Sequence, residues 1–154
     1  VTIAEDWGSD DADRDGEVIF KKYSPMGEMG AVSAELAEAL ARTAGMSCAI
    51  CDRDAVIAAA GGAKKDILER SISSELEQLM ERRECYERGA DEQPEVLISS
   101  QDGCAVVAAA PIITDGDVSG CVAFVSEKED EKADEVLLKL CQSAAQFLSK
   151  RIAV

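Results

Sequence analysis

Histidine is absent from this 154-residue sequence, and aromatic residues make up only 4% of it. Without imidazole there is no Ser-His-Asp or Cys-His catalytic group, no histidine-containing zinc site and no imidazole switch near neutral pH. Basic residues are scarce as well, because 16 Lys and Arg stand against 31 Asp and Glu, which gives a net charge of −15. Nucleic-acid binding needs clustered Lys and Arg, so we expect this chain alone not to bind nucleic acid.

Long apolar runs are also missing, since no stretch approaches the ~20 residues that a membrane span requires. The opening segment, VTIAEDWGSDD, does not show the basic-then-apolar order of a signal peptide. We therefore expect a cytoplasmic protein that does not associate with membranes.

The six cysteines fit that compartment without forming disulfides, because the cytosol keeps thiols reduced and a chain of this length needs no disulfide framework. Cys48 and Cys51 form a C-x-x-C pair within a strand-like run, where residues three apart point to opposite faces. No second such pair completes a four-thiolate zinc site. We interpret all six as small structural side chains.

Composition and pattern divide the chain into three segments. Residues 1–16 form an acidic tail, residues 17–26 a strand-like linker remnant closed by Pro25, and residues 27–154 the main domain. Within the main domain, apolar spacings of three and four predict a helix from Gly27 to Ala44 and another from Lys132 to Ile152.

Between these terminal helices the pattern predicts two strands, two helices and three further strands. The strands are SCAICD, AVIAAA, EVLISSQ, GCAVVAAAPII and DVSGCVAFVSE. Ser73 or Ser74 is expected to cap the second of the two helices, with Glu77 at capping-box distance from Ser74. The order predicts an α+β fold with helices packed on a sheet.

Motifs for catalysis or metal binding are incomplete. Residues 11–16 match the first half of a calcium loop, but Lys22 stands where an acidic bidentate ligand is required. Gly61 and Gly62 precede a helix start without the spacing of a phosphate-binding loop. We expect no catalytic residue, metal or cofactor, and a small enzyme that uses serine or cysteine without histidine stays as an alternative.

The terminal helices carry apolar stripes that exceed what one small domain needs to cover, which is typical of a dimer interface. The predicted interface residues are Met29, Val32, Leu36, Leu40, Val136, Leu137, Leu140, Ala144 and Phe147. The alternative is that both stripes belong to the core of a single domain.

Three segments give the sequence a resemblance to a known family. DRDGEVIFKKYSP, CAICDRDAVIAAAGGAKKDILERSIS and VVAAAPIITDGDVSGCVAFVSE, with the final helix, resemble the stage V sporulation protein T family of bacterial regulators. That family joins an AbrB-like DNA-binding domain to a C-terminal GAF domain, a module that senses small molecules. The acidic stretch VTIAEDWGSDDA stands where the basic hairpin is expected, so we expect that half to be absent through truncation or natural loss.

The resemblance implies a GAF-like central antiparallel sheet with short helices on one face and the terminal helices on the other. It implies a homodimer or a tetramer, DNA as a partner in a full-length relative, and an unidentified small-molecule ligand. The pocket would lie near residues 57–62, 72–79, 97–99 and 107–111, with polar anchors at Ser71, Ser73, Ser99 and Ser100. The expected function is ligand sensing and dimerisation for a sporulation-type transcriptional regulator. The alternative is a purely structural dimerisation module with a closed pocket.

Overall fold

A five-stranded antiparallel sheet lies at the centre of the computed structural model, which describes residues 29–89, 95–99, 104–128 and 133–152. The acidic tail, the linker remnant and Ser100 lie outside the described residues. In chain order the elements are α1 (Gly30–Ala44), β1 (Ser47–Cys51), β2 (Val56–Ala60), α2 (Lys64–Ile67), α3 (Ser74–Arg82), β3 (Tyr86–Glu87), β4 (Ala105–Thr114), β5 (Asp117–Ser126) and α4 (Glu135–Ile152).

The strands are arranged in the order β2-β1-β5-β4-β3. The hairpin of β4 and β5 provides the longest pairing, from Ala105 opposite Ser126 to Thr114 opposite Asp117. Its turn places Asp115 and Gly116 at φ 53° and 85°, a left-handed conformation that Asp and Gly tolerate. The Asp115-Gly116-Asp117 turn signal in the sequence is therefore confirmed.

The sheet carries an apolar core on each face. On the terminal-helix face, α1 and α4 cover Cys48, Ile50, Val122 and Phe124, all fully buried. On the short-helix face, α2 and α3 cover a second set of buried residues that includes Ala49, Cys51, Ala123 and Val125. Strand residues alternate between the two cores because successive side chains point to opposite faces. The predicted α+β architecture is confirmed, and so is the separation of Cys48 from Cys51.

The helix ends follow local chemistry. Gly45 ends α1 with φ 68°, and its N–H donates to the carbonyl of Ala41. Asp134 starts α4, because its Oδ1 accepts a hydrogen bond of 2.9 Å from the N–H of Leu137. Arg83 ends α3 in the left-handed region with φ 57°.

One predicted strand is wrong. The run EVLISSQ forms no strand over the described residues 95–99, where Leu97 makes a single β-bridge to Ala105. The two helices predicted between the first strands and this run are confirmed as α2 and α3. Helix α3 ends at Arg82, and the next residues turn to form the two-residue strand β3, which was not predicted and lies opposite Ala108 and Ala109 of β4. The predicted cap is confirmed at Ser73, whose hydroxyl accepts a hydrogen bond from the N–H of Leu76, so the capping box between Ser74 and Glu77 is wrong.

Candidate functional site

The four serines predicted to hold a ligand have different environments. Ser73 is 1% exposed, and its hydroxyl accepts from the N–H of Leu76 at 3.1 Å while donating to the carbonyl of Leu97 at 2.6 Å. Ser99 is equally buried, at 1% exposure. Ser71 is exposed on an isolated bridge to Ala55, and Ser100 lies outside the described residues. The structure thus brings Ser73 next to the segment that contains Ser99, and it gives Ser73 a capping role.

The short-helix face, where the pocket is predicted, has a floor of small side chains. Ala49, Ala59, Ala109 and Ala123 supply the sheet side of this core and are at most 4% exposed. The helices place larger buried side chains over them, and those of α2 and α3 are Ile67, Leu76, Leu79 and Met80. An apolar floor under short helices has the composition of a small-ligand site.

The predicted pocket walls divide between the two faces of the sheet. Within 107–111, Ala109 packs on the short-helix face, whereas Val107, Ala108 and Ala110 pack under the terminal helices. Both Val107 and Ala108 point to the same face because β4 has a bulge between Val106 and Ala108. The expectation that the whole segment lines one pocket is therefore wrong.

The buried thiols do not provide a nucleophile. Burial raises the pKa of Cys48 to about 12. Cys51 lies opposite Cys121 across β1 and β5, and their side-chain hydrogen bond, together with burial, raises the pKa of Cys51 well above its ordinary value. Both thiols stay protonated at neutral pH, and a protonated thiol is unreactive. No cluster of three or more metal-ligating side chains occurs among the described residues.

The nine residues predicted for a dimer interface fall into three groups by exposure. Leu40, Leu137 and Ala144 are buried in the core of this chain. Four are half-buried against that core, namely Met29, Val32, Leu36 and Leu140. Val136 is 62% exposed and Phe147 46% exposed, and the guanidinium of Arg151 lies 5.9 Å from the centre of the Phe147 ring. We name the exposed and half-buried residues together the terminal-helix surface.

A groove that the sequence does not predict lies between α4 and the outer edge of β4. Its volume is about 490 Å³, and Pro111, Gln146 and Lys150 are among the residues that line it. The groove combines residues that are far apart along the chain, so no local motif indicates it. The only signal in the sequence is the row Gln142, Gln146 and Ser149, which forms a polar flank beside the apolar stripe of α4.

Comparison with known proteins decides the family. Residues 28–153 match the family model described as "Stage V sporulation protein T C-terminal, transcription factor". The chain belongs to the stage V sporulation protein T family. A relative in this family, stage V sporulation protein T of Bacillus subtilis (strain 168), is 39% identical over 140 residues, which cover 91% of this chain and 78% of the relative.

Solved structures identify the fold of this family member as GAF-like. The GAF domain of a phosphoenolpyruvate-protein phosphotransferase from Acinetobacter matches with a TM-score of 0.57 and 14% identity, covering 86% of this chain and 84% of that domain. The GAF domain of CodY from Clostridium difficile, described as the cofactor-binding domain of a nutrient sensor, matches with a TM-score of 0.52 and 13% identity. That match covers 82% of this chain and 92% of the CodY domain. None of the described helices is long and apolar enough to cross a membrane.

Proposed function

We propose that this chain is the ligand-sensing and dimerising domain of a cytoplasmic transcriptional regulator of the sporulation type, without enzymatic activity. The observation that carries the proposal is the division of the fold by one sheet into two separate cores. One face supplies a small-residue floor under α2 and α3, and the other presents α1 and α4 with exposed apolar side chains.

Dimerisation is argued from the terminal-helix surface. Among the described residues, only Ile113, Val136 and Phe147 are large apolar side chains with substantial exposure, and two of these three belong to α4. Val32 and Leu36 on α1 add half-buried apolar area beside the core that α1 and α4 share. A second copy of the chain would remove these side chains from water, which contributes about 25 cal/mol for each Å² of apolar area buried.

The dimer is tested by light scattering coupled to gel filtration at micromolar concentration. We expect a dimer for the natural sequence and a monomer for the double variant Val136→Glu and Phe147→Glu. Ala34→Glu is the matched control, because Ala34 is an exposed position on the opposite flank of α1, and it should leave the dimer intact. A monomer for the natural sequence would refute the dimer.

Sensing is argued from the role described for the CodY domain and from the apolar floor on the short-helix face. A thermal-shift screen against amino acids, nucleotides and other metabolites tests it, since a ligand that binds only the folded state raises the melting temperature. We expect at least one metabolite to raise it by several degrees. Substituting the floor residue Ala59 by Leu should remove that shift, because the added atoms occupy the site.

A second candidate function is a structural dimerisation module with no ligand. The packing of Ile67, Leu76 and Met80 over the floor favours it, because each is at most 3% exposed and fills space that a ligand would need. The capping bonds of Ser73 favour it too, since its hydroxyl is engaged by the protein itself. A screen with no stabilising compound, together with a dimer in solution, would decide for this alternative.

A further inference from the structure

The groove between α4 and β4 has an apolar floor. Ala110, Pro111 and Ile113 of β4 form one side, and Ala145 of α4 forms the other. Ile113 is 37% exposed, which is unusual for a strand of this sheet. The edge of β4 beyond its short pairing with β3 is protected from strand addition, because Pro111 has no N–H and the carbonyl of Ile113 accepts a hydrogen bond from the Ser149 hydroxyl. The groove therefore suits a small molecule better than an added strand.

The rim of the groove is polar and carries positive charge. Arg83, Lys150, Gln142 and Gln146 line it, and none of the lining residues is acidic, although the whole chain has a net charge of −15. The guanidinium of Arg83 donates to the carbonyls of Gly116 and Glu81, and the Asp117 carboxylate lies 4.0 Å from its Nη2. The Lys150 ammonium is consequently the cation that a molecule in the groove would meet.

We propose that this groove binds a small organic anion, a carboxylate joined to an apolar body. The body would lie on the floor of Ala110, Pro111, Ile113 and Ala145, while Lys150 would pair with the carboxylate and the amides of Gln142 and Gln146 would donate to it. A volume of about 490 Å³ lies within the range of metabolite sites. The apolar floor favours such a molecule over a bare inorganic anion, which would gain nothing from it.

The apolar floor and the glutamine flank of the site are separate from both surfaces used in the proposed function, and Lys150 borders the dimer surface because it lies one turn from Phe147. At about 100° for each residue of an α-helix, Gln142, Gln146 and Ser149 lie on one flank of α4, whereas Val136, Leu140 and Phe147 lie on the other. The groove is also on the terminal-helix face of β4, since Ala110 belongs to that core. Failure of the dimer or of the short-helix pocket therefore leaves this proposal standing.

Cys85 provides a reporter inside the groove. It is exposed, whereas the other five cysteines are buried, and its Sγ lies 3.5 Å from Nε2 of Gln142. A neutral alkylating reagent, iodoacetamide, should therefore modify one thiol in the folded chain. A molecule seated between Pro111 and α4 would cover this thiol and slow the reaction.

The experiment measures the rate of Cys85 alkylation by mass spectrometry, with hexanoate as the probe. A dissociation constant of about 5 mM is within reach of a ligand of this size, so about 20 mM hexanoate should slow the reaction roughly fivefold. Hexanamide has the apolar body without the negative charge, and inorganic phosphate has the negative charge without the apolar body. Each should change the rate less than twofold.

Two variants test the role of the cation. Lys150→Glu should abolish protection by hexanoate. Lys139→Glu makes the same charge change at an exposed position that pairs with Glu135 on α4, and it should retain protection. Circular dichroism spectra establish that both variants are folded. Equal protection by hexanamide, unaltered protection in Lys150→Glu, or no protection at about 20 mM hexanoate would each overturn the proposal.

Discussion

Individual buried thiols make the free energy of unfolding depend on pH in the alkaline range. The pKa of Cys48 rises from 9.0 to about 12 through burial, and the pKa values of Cys51 and Cys141 are raised as well, by the hydrogen bond to Cys121 and by burial respectively. Above pH 9 the unfolded chain releases thiol protons that the folded chain retains. The thiols therefore leave the free energy of unfolding unchanged below this pH and reduce it as pH rises toward 12.

We predict that the free energy of unfolding falls by about 4 kcal/mol between pH values of about 8 and 10, measured by urea denaturation with a reductant present. Cys48→Ala should remove roughly a third of this dependence, because it removes one of three such thiols. The control Cys85→Ala, at the exposed cysteine, should leave the dependence unchanged. A pH dependence that is identical in Cys48→Ala and the natural sequence would contradict the assignment.

At the scale of elements, the connection from β2 to α2 depends on one of two adjacent glycines. Gly61 has φ 99°, and a Cβ there would lie 2.6 Å from Oγ and 2.7 Å from Cα of Ser47. The same Ser47 hydroxyl accepts a hydrogen bond from the N–H of Ala63 at 3.1 Å, just before α2 begins. Gly62 has open space, because a Cβ added there would meet no other atom within 4 Å.

We predict that Gly61→Ala lowers the free energy of unfolding by about 2–4 kcal/mol, because the backbone of β1 would have to move and the positive φ strains alanine. Gly62→Ala should change it by less than about 0.5 kcal/mol or raise it slightly, since alanine reduces the entropy of the unfolded chain. Urea denaturation of both variants measures the difference. Equal destabilisation by the two substitutions would show that the close approach to Ser47 is not the cause.

Long helices and strands with a clear period of apolar residues could be predicted from the sequence, and short ones could not. The stripe through Leu137, Cys141 and Leu148 indicated α4, and the turn at Asp115 and Gly116 indicated the β4–β5 hairpin. Tyr86 and Glu87 are too few to produce a pattern inside the charged run ERRECYERG. The N–H of Ile98 donates to the carbonyl of Cys104, and the carbonyl of Val96 accepts from the N–H of Val106, but these two bonds make one bridge rather than a strand.

Parts of the candidate sites could not be predicted from the sequence, because they depend on contacts between residues that are far apart along the chain. Ser73 has the residue type of a ligand anchor, yet its hydroxyl is used at the start of α3 and on the carbonyl of Leu97, a contact 24 residues away. The β4 bulge changes which face of the sheet each residue after Val106 points to. The regular alternation of side chains along a strand does not predict this change. The groove needs α4, β4 and Arg83 together, and such a meeting depends on the tertiary fold.

At the scale of the whole molecule, charge governs which partners the chain can approach. A net charge of −15 creates a negative field around the domain, and duplex DNA repels it at distances up to about a Debye length, ~10 Å at 0.1 M salt. The positive rim formed by Arg83 and Lys150 is too small to offset this, because DNA binding needs many phosphate contacts.

We therefore predict that this chain gives no change in the fluorescence anisotropy of a labelled DNA duplex at micromolar protein and about 50 mM salt. Any weak signal should not show a steep loss between about 50 and 200 mM salt, because that loss measures the counterions that Lys and Arg release from DNA. A basic DNA-binding protein in the same assay supplies the positive control. Binding with a steep salt slope would mean that basic side chains of this chain cluster on a surface despite its overall charge. It would contradict the proposal that the domain acts in sensing and dimerisation alone.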